Sequence, residues 1–219
     1  MGVLHTLWLT LLDTLAPRHP HDRRYDTLEV HTLAPVARRI MVHGTPSCLA
    51  PLPYDHALVR DAVHAAKYRG HERAATLLGE VLVPFAAEEL AERRAFGTYT
   101  APILIPIPLH PSRLRERGFN QAERIARALH AAMGDQTIML DTTVLVRTRD
   151  TGTQTHQLGR AARARNMRGA FSVAKPKCVT YADIVLLDDV YTTGATMRAA
   201  CGALRAAGAR SILCVAAAH

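Results

Sequence analysis

Cysteine, lysine and aromatic residues are all scarce in this 219-residue chain. Each scarcity removes a class of protein. The four cysteines, Cys48, Cys178, Cys201 and Cys214, contain no C-x-x-C pair, so neither a zinc knuckle nor a redox motif is indicated and no zinc is expected. Cys201, in a helical pattern, and Cys214, in an apolar strand-like run, read as small buried hydrophobes. Twelve histidines are present, but in no H-E-x-x-H or comparable ligand spacing, which leaves them as scattered surface residues. No apolar run is long enough to span a bilayer. The longest near the start, "VLHTLWLTLLDTLA", is short and carries His5 and Asp13. It also lacks the basic leader and small-residue cleavage site of a signal peptide, so a cytoplasmic protein with no membrane span is expected. Finally, there is no G-x-x-x-x-G-K-[ST] loop and no G-x-G-x-x-G fingerprint, which argues against P-loop and dinucleotide-binding readings.

What is present is arginine. Only three lysines occur, yet the net charge is +8. Residues 110–170 hold eleven arginines against five acids and so carry +6 of that charge. A guanidinium fork suits bidentate phosphate recognition better than an ammonium, which favours a polyanionic partner.

Leu4, Leu7, Trp8, Leu11, Leu12 and Leu15 follow i, i+3, i+4 spacing and predict an amphipathic helix over residues 3–16. Residues 17–53 are rich in Pro, His and Arg and read as a cover or linker, which divides the chain into an N-terminal appendage, 1–53, and a main domain, 54–219. In the main domain, residues 55–69 and 71–95 read as helices broken at Gly70. Ile103–Ile107 reads as a strand, 119–133 as a helix, 142–148 as a strand, 149–168 as a polar loop or short helix, and 169–173 as a strand. Ile184–Leu187 and the run "SILCVAAA" supply two more strands, with a helix between them stopped by Gly208. Strands alternating with helices predict an α/β fold built on a doubly wound, mostly parallel sheet.

The chemistry concentrates in "DIVLLDDVYTTGAT", residues 183–196. Ile184–Leu187 form an unbroken apolar run of the kind buried on both faces of a parallel sheet. Asp188 and Asp189 stand at its carboxyl end, where ligands of open α/β sheets bind. Adjacent carboxylates repel each other unless a sugar diol or a hydrated Mg²⁺ compensates. The loop that follows, Thr192-Thr193-Gly194-Ala195-Thr196, offers hydroxyls and clustered N–H groups at a helix start, a cradle for phosphate. Diol binder beside phosphate cradle describes a ribose 5-phosphate site. The plain alternative is a pair of exposed acids capping a sheet edge. A second carboxyl-edge segment, R-G-F-N-Q at 117–121, could grip a diphosphate through Arg117, Asn120 and Gln121, or merely cap a helix.

"VLLDDVYTTGAT" resembles the PRPP-binding signature of type I phosphoribosyltransferases. "AAKYRG" (65–70), "PIPLHPSRLRERGFNQAERIARAL" (106–129) and "RARNMRGAF" (163–171) are similar to segments of the ComF family, and together these blocks cover about residues 54–219. The resemblance implies the type I phosphoribosyltransferase fold with Mg²⁺ and PRPP as ligands. It places the ribose hydroxyls, and Mg²⁺ directly or through water, on Asp188 and Asp189. The remaining PRPP contacts fall to Val190, Tyr191, Thr192, Thr193, Gly194, Ala195 and Thr196. Pyrophosphate falls to Arg117, Gly118, Asn120, Gln121 and Lys67, with Arg117 and Arg163 as catalytic groups. Residues 149–168 correspond to the flexible loop closing over the substrate, where Arg163 and Asn166 match and Gln154 sits one position out of register. Many family members begin with a four-cysteine zinc finger, whereas residues 17–50 here offer only Cys48. An acid common in purine-using relatives is replaced by Thr192.

The implied reaction is displacement of pyrophosphate from Mg²⁺-PRPP by an unidentified nitrogen acceptor. A second reading is a competence protein that handles single-stranded DNA or partners of the uptake machinery on the same scaffold. It is weakened by the shortage of stacking aromatics near the arginines, where only Phe119 and Phe171 stand. A PRPP sensor without turnover is the third. A homodimer is compatible with all of them.

Overall fold

The computed structural model describes residues 29–68, 70–95, 101–150 and 169–219. The amphipathic segment 3–16 lies outside these residues. Two 3₁₀ turns, Val30–Thr32 and Ala34–Val36, lead into strands β1 (Met41–Val42) and β2 (Cys48–Leu49). Helices α1 (Ala57–Tyr68) and α2 (Glu72–Ala95) follow, then β3 (Ile103–Pro106), α3 (Pro111–Arg117) and α4 (Gln121–Met133). Strands β4 (Met139–Leu140), β5 (Leu145–Arg147) and β6 (Phe171–Val173) precede the short α5 (Pro176–Val179). The chain closes with β7 (Asp183–Val190), α6 (Ala195–Ala206) and β8 (Ser211–Ala218).

Six strands form one sheet in the order β1-β2-β8-β7-β3-β4. Every pairing in it is parallel except that of β1 with β2. The expected α/β, mostly parallel architecture is therefore present. Its strands are apolar on both sides because both faces are covered. Val185 and Leu187 of β7 pack with α1, α2 and α4, while Ile184 and Leu186 pack against α6 and the β5–β6 ribbon. The same alternation runs through β8, with Leu213, Val215 and Ala217 on the first face and Cys214 and Ala216 on the second. On the first face α2 and α4 cross closely at Gly79, where an added Cβ would come within 2.6 Å of the Ala128 Cβ and of the Ile125 carbonyl oxygen.

Three features depart from the sequence reading. Residues 41–52, expected as cover, enter the central sheet: β2 pairs with β8, and Cys48, Leu49, Ala50 and Leu52 are fully buried. The strands near 142–148 and 169–173 form a separate antiparallel pair, β5–β6, rather than members of the main sheet. An extra helix, α3, precedes α4. His110 caps it by accepting from the Ser112 N–H at 3.3 Å, Pro111 opens it, and the left-handed Gly118 ends it. Among the described residues no helix is long and apolar enough to cross a membrane.

Candidate functional site

Each residue at the carboxyl edge of the sheet owes its place to a strand ending there. β7 runs from Asp183 and delivers Asp188 and Asp189 at its far end. Successive strand residues point to opposite faces, so the two acids diverge. Asp189 is buried on the α1 side, where Lys67 Nζ lies 3.2 Å from its Oδ2. Asp188 is half-buried on the other side, within the electrostatic reach of Arg147 on β5 and Cys48 on β2. Backbone donors help hold both carboxylates: the Asp189 N–H donates to Asp188 Oδ1 and the Val190 N–H to Asp189 Oδ1, each at 2.9 Å.

The electrostatics follow from this packing. Burial, then the neighbouring Asp189 charge, pushes the Asp188 carboxyl well above the usual carboxylate range, with Lys67 pulling the other way. The Lys67 ammonium is held above its ordinary value, chiefly by Asp189 and further by Asp188, against the opposing effect of burial. Two acids and one ammonium thus form a compact charged cluster.

The loop after the acids is braced from beneath. Tyr191 is buried and donates its hydroxyl to the Pro46 carbonyl at 2.7 Å. Its ring lies so close to Gly194 that an added Cβ there would meet the hydroxyl oxygen at 2.5 Å, and Gly44 is crowded by the same ring. Gly194 has φ +68°, which turns the chain sharply into α6. Arg198, one turn further, donates from Nε to the Thr45 carbonyl at 2.6 Å. Thr192 is exposed, and Thr193 and Thr196 are half-buried. Residues 44–46, absent from the sequence reading of the site, are therefore its support. The contact spans about 145 residues of chain, and no local pattern announces it.

The R-G-F-N-Q segment follows β3. Arg117 Nη1 donates to Gln121 Oε1 at 2.5 Å. Asn120 caps α4 by accepting from the Ala122 N–H at 3.1 Å, and its amide donates to the Ile107 carbonyl at 3.0 Å. Asn120 thus takes the capping role held open in the sequence, and both of its side-chain polar atoms hold the loop's shape. Phe119 lies against Gly70 and under Arg124, whose guanidinium carbon is 4.1 Å from the ring centroid. This contact joins the α1–α2 turn to the R-G-F-N-Q loop and brings Lys67 and Arg117 around one exposed ring, Tyr68. Lys67, which the resemblance places at the pyrophosphate, pairs with Asp189.

Arg163, Gln154 and Asn166 lie outside the described residues. At the start of that stretch, Ser112 Oγ donates to Asp150 Oδ2 at 2.6 Å and shares a 2.8 Å hydrogen bond with His110 Nδ1. The stem of the 149–168 segment is thereby tied to α3.

Among the described residues no group of three or more His, Cys, Asp or Glu side chains could hold a metal ion. A Mg²⁺ accompanying a phosphorylated ligand needs fewer, since it takes one or two carboxylates and completes its shell with water and phosphate oxygens. Asp189 Oδ2, buried beside the Lys67 ammonium at 3.2 Å, and Asp188 next to it are the carboxylates that could serve in that donor set. A cavity of about 790 Å³ lies between the 3₁₀ turns and α2, but none of its lining residues belongs to these edge loops.

No family model matches the chain. DNA utilization protein YhgH of Salmonella typhimurium (strain LT2) is 33% identical over 135 residues, which cover 62% of this chain and 56% of that protein. The Escherichia coli K12 protein of the same name matches to the same extent. Competence protein F of Haemophilus influenzae is 33% identical over 127 residues, 56% of this chain and 54% of that protein. The chain thus spans little more than half the length of these relatives. Among solved structures, glutamine PRPP amidotransferase of B. subtilis aligns with TM-score 0.43 at 17% identity, covering 73% of this chain and 30% of that one. A phosphoribosyltransferase of Corynebacterium diphtheriae aligns with TM-score 0.40 at 14% identity, covering 86% and 91%. At such scores the fold rests on this chain's own sheet order instead. The sequence matches bear out the ComF resemblance read from the motifs: the chain is a homologue of competence protein F and of DNA utilization protein YhgH.

Proposed function

We propose that the chain binds Mg²⁺-PRPP at the carboxyl edge of its sheet and transfers the phosphoribosyl group to a nitrogen acceptor, releasing pyrophosphate. One observation carries this reading: two acids end the central strand directly before a glycine-turned loop that Tyr191 props from below. A diol meets the acids and a 5-phosphate meets the loop, in the order in which PRPP presents them. Asp188 and Asp189 accept from the ribose 2′- and 3′-hydroxyls. The N–H groups and hydroxyls of residues 192–196 wrap the 5-phosphate. Arg117 faces the diphosphate, with Gly118, Asn120 and Gln121 shaping its loop, and by the resemblance Arg163 is the second catalytic arginine. Lys67 serves as counter-ion to Asp189. Asp188 and Asp189 would hold Mg²⁺ directly or through water, and the ion would supply neutralising charge for the departing diphosphate. Breaking the C1–oxygen bond gives an oxocarbenium-like transition state, so the protein's share is orientation and stabilisation of the leaving group, with no covalent nucleophile.

Calorimetric titration of PRPP with Mg²⁺ tests this. Wild type is expected to bind, and an Asp188→Asn/Asp189→Asn variant to lose at least about tenfold in affinity, the loss of one charge-assisted hydrogen bond or more. A folded wild type that gives no binding heat would sink the reading. Pyrophosphate release in the presence of candidate bases then separates a transferase from a sensor.

A second reading has its own support. The relatives are named for DNA utilization and for competence, and the arginine-rich stretch 110–170 suits a phosphate backbone. On this reading the scaffold handles single-stranded DNA. Its affinity for an oligonucleotide should be measurable at low salt without Mg²⁺ or PRPP and should fall steeply as salt rises.

A further inference from the structure

Single-strand and nucleotide sites pair cationic groups with an accessible aromatic face. The two aromatics near the arginine-rich stretch do not offer one. Phe119 is pressed against Gly70 and covered by the Arg124 guanidinium, and Phe171 is only 6% exposed. Tyr68, at the last turn of α1, is different. It is 60% exposed, an unusual state for a large aromatic at the end of a well-packed helix. The Arg117 guanidinium carbon lies 5.5 Å from its ring centroid, Lys67 Nζ 5.9 Å, and the His64 ring 5.2 Å at a tilt of 52°. Lys67 in turn is the ion-pair partner of Asp189. The ring therefore borders both the acid cluster and the R-G-F-N-Q loop. The more exposed Tyr181 (82%) offers no such place. It precedes β7, about 26 Å from Asp189 along an extended strand, at the opposite edge of the sheet.

We infer that Tyr68 is a stacking platform for a nucleobase, with Arg117 holding the phosphate that comes with it. A planar heterocycle stacks on the exposed ring without needing a hydrogen-bond partner, and an adjacent phosphate meets the guanidinium, whose carbon lies 5.5 Å from the ring centroid. Sugars lack the flat π-face, and an unmodified aromatic peptide lacks the phosphate that suits the Arg117 guanidinium. The inference rests on the proposed carboxyl-edge site only for the place of the phosphate. Two sources supply the same chemistry: the base that accepts the phosphoribosyl group, or a base within single-stranded DNA.

2-Aminopurine, whose fluorescence is quenched by stacking, distinguishes them. In one arm the protein is titrated into free 2-aminopurine with Mg²⁺-PRPP present. In the other it is titrated into a short oligo-dT carrying one central 2-aminopurine, at low salt with neither Mg²⁺ nor PRPP. Saturable quenching is expected in at least one arm; the first identifies an acceptor base, the second a single strand. Tyr68→Phe retains the ring and is expected to keep the quench. Tyr68→Ala is expected to weaken binding by about tenfold or more, with thermal unfolding checking that it is folded. No quenching in either arm, or a folded Tyr68→Ala protein that binds as tightly as wild type, overturns the assignment. Because the oligonucleotide arm contains no PRPP, it reports on Tyr68 whether or not PRPP binds.

Discussion

Gly194 answers to two constraints at once. Its φ of +68° lies in the left-handed region, and the Tyr191 ring leaves no room for a side chain. Gly194→Ala should cost about 1–2 kcal/mol for the backbone alone, more with the collision. It should also weaken Mg²⁺-PRPP binding on the order of tenfold, because the loop it turns is the expected phosphate cradle. Urea midpoints and calorimetry would check both; an alanine variant with unchanged affinity would remove the 5-phosphate from this loop. Asp188 adds a functional contrast. Its carboxyl is pushed upward by burial and by Asp189, against the pull of Lys67, which pairs with Asp189. A ligand that brings donors or a cation to Asp188 relieves the less comfortable of the two acids.

At the scale of the element, β7 carries an ion pair at one end and the acid pair of the proposed site at the other. Its first residue, Asp183, is buried, yet its carboxyl sits below the ordinary range. Burial alone would raise it. The hydrogen bonds from Arg210 and Ser211 together outweigh that effect, with Arg210 Nε at 3.0 Å and Ser211 Oγ at 2.7 Å from Oδ1 and Arg210 Nη2 on Oδ2. These contacts pin the start of β7 to the start of β8. A depressed acid contributes stability above its unfolded value, about 3.9. That stability is lost as the pH falls through the lower, native value. Asp183→Asn should therefore lower stability at neutral pH by roughly 2–3 kcal/mol, and the gap to wild type should close as the pH drops below about 4. Urea unfolding at pH 7 and at acid pH measures it. An equal gap at both would show that the ion pair is not the source.

For the whole molecule, the informative boundary is the one at residue 53. A fragment of residues 54–219 contains every motif that resembles the ComF family, but it lacks β2. Without β2, β8 becomes an uncovered edge, and the fully buried Leu49 and Leu52 are missing from the core. Each buried leucine contributes about 1.5–3 kcal/mol, against a total near 5–15 kcal/mol for a domain. The fragment is expected to lose cooperative thermal unfolding and near-ultraviolet circular dichroism. A sharp transition at the wild-type temperature would show that residues 29–53 are a cover after all. The Tyr191 hydroxyl bond to Pro46 predicts the same outcome for the site, since the loop at 192–196 would lose its brace along with β2.

By itself the sequence determined the elements whose signal is local. Apolar runs marked β3, β7 and β8, Gly70 and Gly208 marked breaks, and the acid pair with T-T-G-A-T marked the edge loop, because each pattern is written in consecutive residues. It also contained, unread, the H-P-S start of α3, a capping residue followed by proline. Only the tertiary structure decided the rest. Two-residue strands such as β1 and β2 have no periodicity to read, and they are strands only because β8 offers an edge to pair with. Lys67 meets Asp189, Tyr191 meets Pro46 and Arg117 flanks Tyr68 across long separations in the chain. Such contacts are set by how helices and strands pack, and packing is a property of the folded whole that no stretch of residues encodes alone.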